Sequence, residues 1–336
     1  MSSLPPKSSF VRLIVMPVLT MVAVGLAGCG RKDAPGAAPD GLEHVRLHLD
    51  WHPQTEYGGY YQALERGFYR EAGLGVEIIP GGPGVPFKDI VALERAEIGC
   101  TDGNDVIVAI SRGVPLVIVA AEMQRNPQGI LFHQEHPLTE FSALDGRTFM
   151  AGPGTAWVDY LRRQFGVSFD LLPLTADLTS FLADKTMVRQ CFVTQEPFFA
   201  RQRGASVGTL LLADSGYAPY RVIFTSREYL ARKPEVVRAF VAATIRGFDD
   251  LVDGDPAPAF AALQKANVLM TPEVMAFSLD AMKRMGLVQG DPARGERTGQ
   301  LTRERIRHQI ETLQALGQLG RPVAVEDVLA PGFAPE

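Results

Sequence analysis

Aromatic side chains recur beside acids and amides in this 336-residue chain: Asp50-Trp51 with Tyr57 and Tyr60, Asp102 with Asn104, Gln195-Glu196, and Tyr217 with Tyr220. Together these types suit the capture of a flat heteroaromatic molecule. Aromatic faces hold a ring by stacking, at roughly 0.5–1.5 kcal/mol per pair beyond area burial. Carboxylates and amides read ring N–H and amino groups, and a buried polar group left unpaired costs about 1–3 kcal/mol. Trp51, Tyr57, Tyr60, Trp157, Tyr217 and Tyr220 are the candidate faces, and Asp50, Asp102, Asn104, Gln195 and Glu196 the candidate edges. Gly154-Thr155, just before a helix, resembles an anion-holding turn, although the same residues serve a tight strand-to-helix connection.

Each residue also has a structural reading. Either tryptophan can be ordinary core. Tyr60 and Tyr61 are neighbours on a helix start, so only one can face a ligand. Glu196 suits the helix dipole as a first-turn carboxylate, and Asp102 and Asp105 suit capping of the helix that follows. His48 and His52 read as surface or hydrogen-bonded histidines.

These residues need elements that bring them to one place. Val45, Leu47 and Leu49 alternate with Arg46, His48 and Asp50, which predicts a strand with one drier face. A helix through Ala63, Leu64 and Phe68 and a strand Val76–Ile79 follow, ending in a Pro/Gly breaker cluster. Further strands are expected at 97–102 and Leu116–Ala121, with a helix over Val106–Arg112 between them. The chain changes lobe around Met123–Phe132. A second alternating set then runs through strand Thr148–Ala151, helix Ala156–Phe165, strand Asp170–Leu174, a helix over Leu178–Ala183, strand Gln190–Val193, a helix opened by Glu196, and strand Thr209–Leu212. Arg221–Thr225 is expected to return to the first lobe, and the remainder reads as helical, with Pro234 and Pro272 at first helical positions. Strand–helix alternation predicts α/β architecture. In open α/β sheets, ligands collect outside the carboxyl ends of the strands, where all the candidate loops fall.

The segment LHLDWHPQTEYGGYYQALERGFYREAGLGVEIIPGG, Leu47 to Gly82, resembles the start of the periplasmic-type solute-binding proteins of ABC importers. It is most similar to the branch binding thiamine pyrimidine precursors and its riboflavin-binding relatives. The resemblance implies a two-lobe periplasmic-binding-protein type II fold, each lobe a mostly parallel sheet flanked by helices, with the ligand cleft between lobes and two crossings forming a hinge. Residues 44–125 and 223–336 would form lobe 1, and 126–222 lobe 2. It implies that Glu196 accepts from an aminopyrimidine and that Trp51 and Tyr57 line the site. Its partners would be a small-molecule ligand and separate permease and ATPase subunits, with the protein itself a monomer. Gln54 and Tyr57 depart from the pyrimidine-binding DWxPNTxH form and lean toward the riboflavin type. The fungal pyrimidine-phosphate synthase shares the motif but carries a His where Tyr57 stands and a Cys-rich iron-binding run, so its chemistry is not expected here.

Sulfonate-, taurine- and nitrate-binding relatives share that fold but must offset a negative charge with arginine, lysine or bare helix N-termini. The loops here carry Asp50, Glu56, Asp102, Asp105 and Glu196 and few cations, Lys185 and Arg221 being those able to turn inward. That favours a neutral or amine-bearing ring.

Lys7 and Arg12 precede an apolar run, Leu13 to Ala27, ending in Leu26-Ala27-Gly28-Cys29. A basic start, an apolar stretch and small residues at a cut site describe a secretory leader. The pattern resembles a bacterial lipobox, which implies removal of residues 1–28, within a leader spanning 1–29, and lipidation of Cys29 as a membrane anchor, and an extracytoplasmic location. Residues 30–43 read as a tether rich in Gly, Ala and Pro. A formal net charge of −5 argues against a nucleic-acid partner, which requires a basic face. Cys100 and Cys191 read as buried free thiols, no His or Cys spacing suggests a metal, and no nucleotide-binding or cofactor motif can be picked out.

Overall fold

The computed structural model describes residues 41–152, 154–175 and 177–333. The leader, Cys29 and most of the tether lie outside the described residues. In chain order the strands are β1 (Glu43–His48), β2 (Leu74–Ile79), β3 (Ile98–Asp102), β4 (Leu116–Met123), β5 (Gln128–His133), β6 (Thr148–Ala151), β7 (Asp170–Pro173), β8 (Val188–Phe192), β9 (Val207–Leu211) and β10 (Arg221–Ser226). They build two five-stranded sheets, ordered β2-β1-β3-β10-β4 and β7-β6-β8-β5-β9. In the first, β1 runs parallel to β2 and β3, while β10 runs against β3 and β4. In the second, β6 runs parallel to β7 and β8, while β5 runs against β8 and β9. Each sheet therefore has four strands in one direction and one opposed.

The opposed strand in each sheet is the one that follows a crossing between the sheets. Residues 124–127 carry the chain from β4 into β5, and residues 212–220 carry it from β9 into β10. β5 was not foreseen as a strand, because Gln128-Gly129 and the preceding Pro127 read as a linker. Its Ile130 and Leu131 are nonetheless fully buried, and pairing on both sides overrides the local signal. β4 is buried throughout although it ends the sheet's order. Bridges from Ile118 to Leu329 and from Ala121 to Gly299 cover that edge, which removes an exposed template for pairing.

The C-terminal helices pack back on the first sheet. Pro234–Asp253 buries Val237, Phe240, Val241, Phe248 and Leu251 against the helix Gly58–Glu65. GGYYQALE is a weak helix former because each glycine costs about 1 kcal/mol relative to alanine. Tight packing explains the pair: a Cβ on Gly59 would sit 2.2 Å from the Phe248 ring, and one on Gly247 would sit 2.2 Å from the Gly59 carbonyl. The helix Pro272–Arg284 opens with Thr271 accepting from the Val274 N–H, as an N-cap should. The helix Arg303–Ala315 buries Ile306, Ile310 and Leu313 in a cluster shared with β4, β10 and the helix Gly103–Ser111.

Candidate functional site

The strand-end loops of the two sheets face each other across a cleft with two chambers. The inner chamber, about 350 Å³, has Asp50, Trp51, Gln54, Tyr57 and Arg221 on the first-sheet side. Gln128, Leu174, Gln190, Cys191, Phe192, Gln195 and Glu196 line it from the second-sheet side. The outer chamber, about 490 Å³, lies between Lys88, Asp102, Asn104, Asp105 and Arg112 on one side and Gly154, Thr155, Trp157 and Tyr217 on the other. Gln128 and Gln190 line both chambers.

The floor of the inner chamber is a closed ionic network. Asp50 lies at the end of the first strand, and its loop is held close to the breaker cluster. Gly81 N–H donates to the Trp51 carbonyl at 3.0 Å, and a Cβ on Gly81 would come within 2.2 Å of the Leu49 carbonyl. Asp50 accepts from the Tyr57 hydroxyl at 2.6 Å and from the Thr101 hydroxyl at 3.0 Å. Arg221 donates to both Asp50 oxygens, at 2.8 and 3.3 Å, and to Glu122 at 2.5 Å. Tyr60 donates to the other Glu122 oxygen. Burial pushes the Glu122 carboxyl up, and the Arg221 charge opposes that shift.

This network corrects three expectations. Tyr60 presents no face to a ligand. It is fully buried, set edge-on to Phe248 at 5.2 Å and stacked on Phe240 at 6.5 Å, with its hydroxyl spent on Glu122. Tyr220, the last residue of the crossing before β10, lines neither chamber. Its ring lies 3.7 Å from the Arg305 guanidinium, in a separate groove by the crossings. Arg221 enters the cleft, so the acidic loops are not uncompensated. No sequence signal distinguishes it from other strand-end arginines, since its role depends on β10 lying between β3 and β4. Lys185 lines neither chamber and pairs with Glu135 at 3.8 Å.

The walls differ from the floor. Glu196 opens the helix Glu196–Gln202 and accepts from the Phe192 N–H at 2.7 Å, and burial pushes its carboxyl up. Beside it, buried Gln195 leaves its side-chain oxygen without a partner. Trp51 is 41% exposed at the mouth, its ring meeting only His52 edge-on at 5.4 Å. Glu56, which the sequence placed only among the loop acids, is fully buried. One of its oxygens accepts from the Thr194 hydroxyl across the cleft and the other has no partner, and burial pushes its carboxyl up. An acid inside an aromatic and glycine-rich motif was the available signal.

In the outer chamber, Asp102 caps the helix Gly103–Ser111 by accepting from the Asn104 N–H at 2.7 Å, and it accepts from the Asn126 amide at 2.7 Å. Burial, with Asp105 nearby, pushes its carboxyl up to about 7. The Asn104 side-chain oxygen is buried without a partner. Tyr217 is buried near Asp102, and burial raises its phenol above the ordinary value. Trp157 lines this chamber while its ring packs on Phe149 at 5.7 Å. Thr155 precedes the helix Ala156–Phe165 and donates to the Gly152 carbonyl at 3.0 Å. Cys100 and Cys191 are both free and buried. Among the described residues, no group of three or more His, Cys, Asp or Glu is placed to hold a metal ion.

A family model described as NMT1/THI5 like matches residues 54–258. The chain belongs to the NMT1/THI5-like family. It is similar to the riboflavin-binding protein RibY of Chloroflexus aurantiacus, 26% identical over 365 positions that cover 96% of this chain and 98% of that one. The formylaminopyrimidine-binding protein of Halalkalibacterium halodurans is 26% identical over 333 positions, covering 93% and 96%. A fungal pyrimidine phosphate synthase from Saccharomyces cerevisiae is 23% identical, over 65% of this chain and 69% of its own. Among solved structures, the aliphatic sulphonate binding protein SsuA of Escherichia coli superposes with a TM-score of 0.65 at 15% identity, covering 87% and 98% of the chains. The two-lobe fold of periplasmic binding proteins is therefore the fold of this chain. The relatives matched over nearly the full length are named as binding proteins.

Proposed function

We propose that this protein is the extracytoplasmic solute-binding component of an ABC importer, and that it captures a small heteroaromatic molecule bearing N–H donors. The class covers a thiamine pyrimidine precursor and a related vitamin such as riboflavin. One observation carries the ligand class. The inner chamber offers acceptors, the unpaired Gln195 oxygen and the Glu196 oxygen that the Phe192 N–H does not take, while its one cation, Arg221, is already engaged by Asp50 and Glu122. A ring edge rich in donors satisfies such a wall, and exposed Trp51 supplies a face for it. An oxyanion would meet carboxylates and amide oxygens with no free guanidinium in this chamber, which disfavours sulfonate, taurine or nitrate. The full-length relatives named for riboflavin and formylaminopyrimidine support the same reading.

In this reading the protein binds and delivers without catalysing a reaction. The relatives matched over nearly the full length, which are named as binding proteins, support that reading. The leader and Cys29 would place it outside the cytoplasm as a lipid-anchored monomer, and separate permease and ATPase subunits would complete uptake. Among the described residues no helix is long and apolar enough to cross a membrane. A thermal-shift panel of riboflavin, aminopyrimidines and alkanesulfonates tests it. Stabilisation should follow RT ln(1 + [L]/Kd) for ring compounds and be absent for sulfonates. Stabilisation by sulfonates alone would reverse the assignment.

A further inference from the structure

The cleft contains more than one ring needs. The inner chamber, about 350 Å³, sits near the lower end of the roughly 300–1,000 Å³ of small-molecule pockets. The outer chamber, about 490 Å³, continues from it across a sill made by two amides. Gln190 donates to the Gln128 side-chain oxygen at 3.2 Å. Each is fixed in turn, since Gln190 accepts from the Gly152 N–H at 2.8 Å and Gln128 donates to the Cys191 carbonyl at 3.0 Å. A ligand seated against Glu196 and reaching toward Asn104 must pass over this sill.

Asn104 is only partly accounted for by the rest of the structure, its side-chain N–H engaging the Tyr217 hydroxyl. It is 5% exposed, it lines the outer chamber, and its side-chain oxygen accepts from nothing. Asp102 beside it is already committed to the Asn104 N–H and the Asn126 amide. A buried acceptor without a donor is costly, and it is tolerated where a ligand supplies the missing hydrogen bond. Resting on the heteroaromatic reading above, we propose that the outer chamber is a second subsite of the same cleft, which takes a hydrogen-bond-donating extension of the ring compound, hydroxylated or amino-bearing, with Asn104 as its acceptor. The two chambers then divide the work: the inner one reads the ring, and the outer one selects ligands carrying a tail.

The test compares three flavins by fluorescence titration of the full chain. Riboflavin carries a hydroxylated chain, lumiflavin keeps the fused ring with a methyl in its place, and a third flavin carries a chain ending in an amine. The protein should bind at least one tailed flavin about fivefold or more tighter than lumiflavin, the minimum expected for one buried acceptor. Asn104→Ala should abolish that preference, bringing the tailed flavins to within about twofold of lumiflavin on the same variant. Asn104→Asp, which keeps an acceptor and adds charge, should retain it and favour the amine arm over the hydroxyl arm. Equal binding of all three flavins by the parent protein overturns the subsite without any variant being needed. A preference that survives in Asn104→Ala overturns the role of Asn104. If no flavin binds while a bare aminopyrimidine does, the subsite fails and the ring-binding reading stands. If no ring compound binds, both fail together.

Discussion

The floor and the walls of the inner chamber are built on opposite principles. On the floor, Asp50, Arg221, Glu122, Tyr57 and Tyr60 satisfy one another almost completely. On the walls, Gln195, Glu196 and Trp51 keep acceptors or ring surface unspent. A saturated network cannot discriminate between ligands, because it has nothing left to offer them. It fixes the ends of β1, β3 and β10 relative to one another, and so fixes the geometry that the walls use. Aromatic and acidic residues in the same sequence motif therefore divide between scaffold and recognition according to whether the fold already supplies their partners.

That division can be tested by substitution, and the largest effect should come from the floor. Arg221→Met removes the cation between buried Glu122 and half-buried Asp50 and should cost about 3–5 kcal/mol of stability in chemical denaturation, the range for breaking a buried pair. A loss under about 1 kcal/mol would mean that the network is not sealed. On the wall, Glu196→Ala should weaken binding of the ring ligand at least about tenfold, as expected for a charged acceptor, by isothermal titration. Its cost in stability should be confined to the lost Phe192 N–H contact. Trp51→Ala should weaken binding by roughly threefold to tenfold, consistent with one stacking face, and leave the melting temperature almost unchanged because the side chain is exposed.

The smallest effect concerns the outer chamber. The folded protein holds the Asp102 proton up to about pH 7, whereas an unfolded aspartate releases it near pH 3.9. Between those values the native state binds more protons than the unfolded state, so this residue's contribution to stability falls as pH rises. Asp102→Asn keeps the cap on the Asn104 N–H and removes the titration. Its melting temperature should gain on the parent's across that interval and run level with it above about pH 7. A constant gap from pH 4 to 8 would place the Asp102 carboxyl in its ordinary range.

Much of this architecture was legible in the sequence. The strand–helix alternation, the return strand at 221–225, the helix-opening prolines Pro234 and Pro272 and the Thr271 cap all follow from local pattern and local chemistry. β5 was not legible, because Gly129 and the polar residues around it carry no strand signal until both neighbouring strands are present. In the site, Asp50, Trp51, Tyr57, Gln195 and Glu196 meet in one chamber, and Asp102, Asn104, Gly154, Thr155, Trp157 and Tyr217 in the other. Tyr60 and Tyr220 could not be sorted from them by residue type. Tyr60's orientation depends on helix phase, where a one-residue difference moves a side chain off the face, and Tyr220's on how the crossing before β10 packs against Arg305. Arg221 and Glu56 acquire their roles from partners far along the chain, Glu122 and Thr194, which no local window contains.

The most direct test of the central claim is a calorimetric titration of the protein with riboflavin, an aminopyrimidine and an alkanesulfonate at several temperatures. A donor-bearing ring compound should bind with a negative heat-capacity change, the mark of apolar surface closing over it, and the sulfonate should give no binding heat. Saturable binding of the sulfonate with no heat from either ring compound would contradict the account.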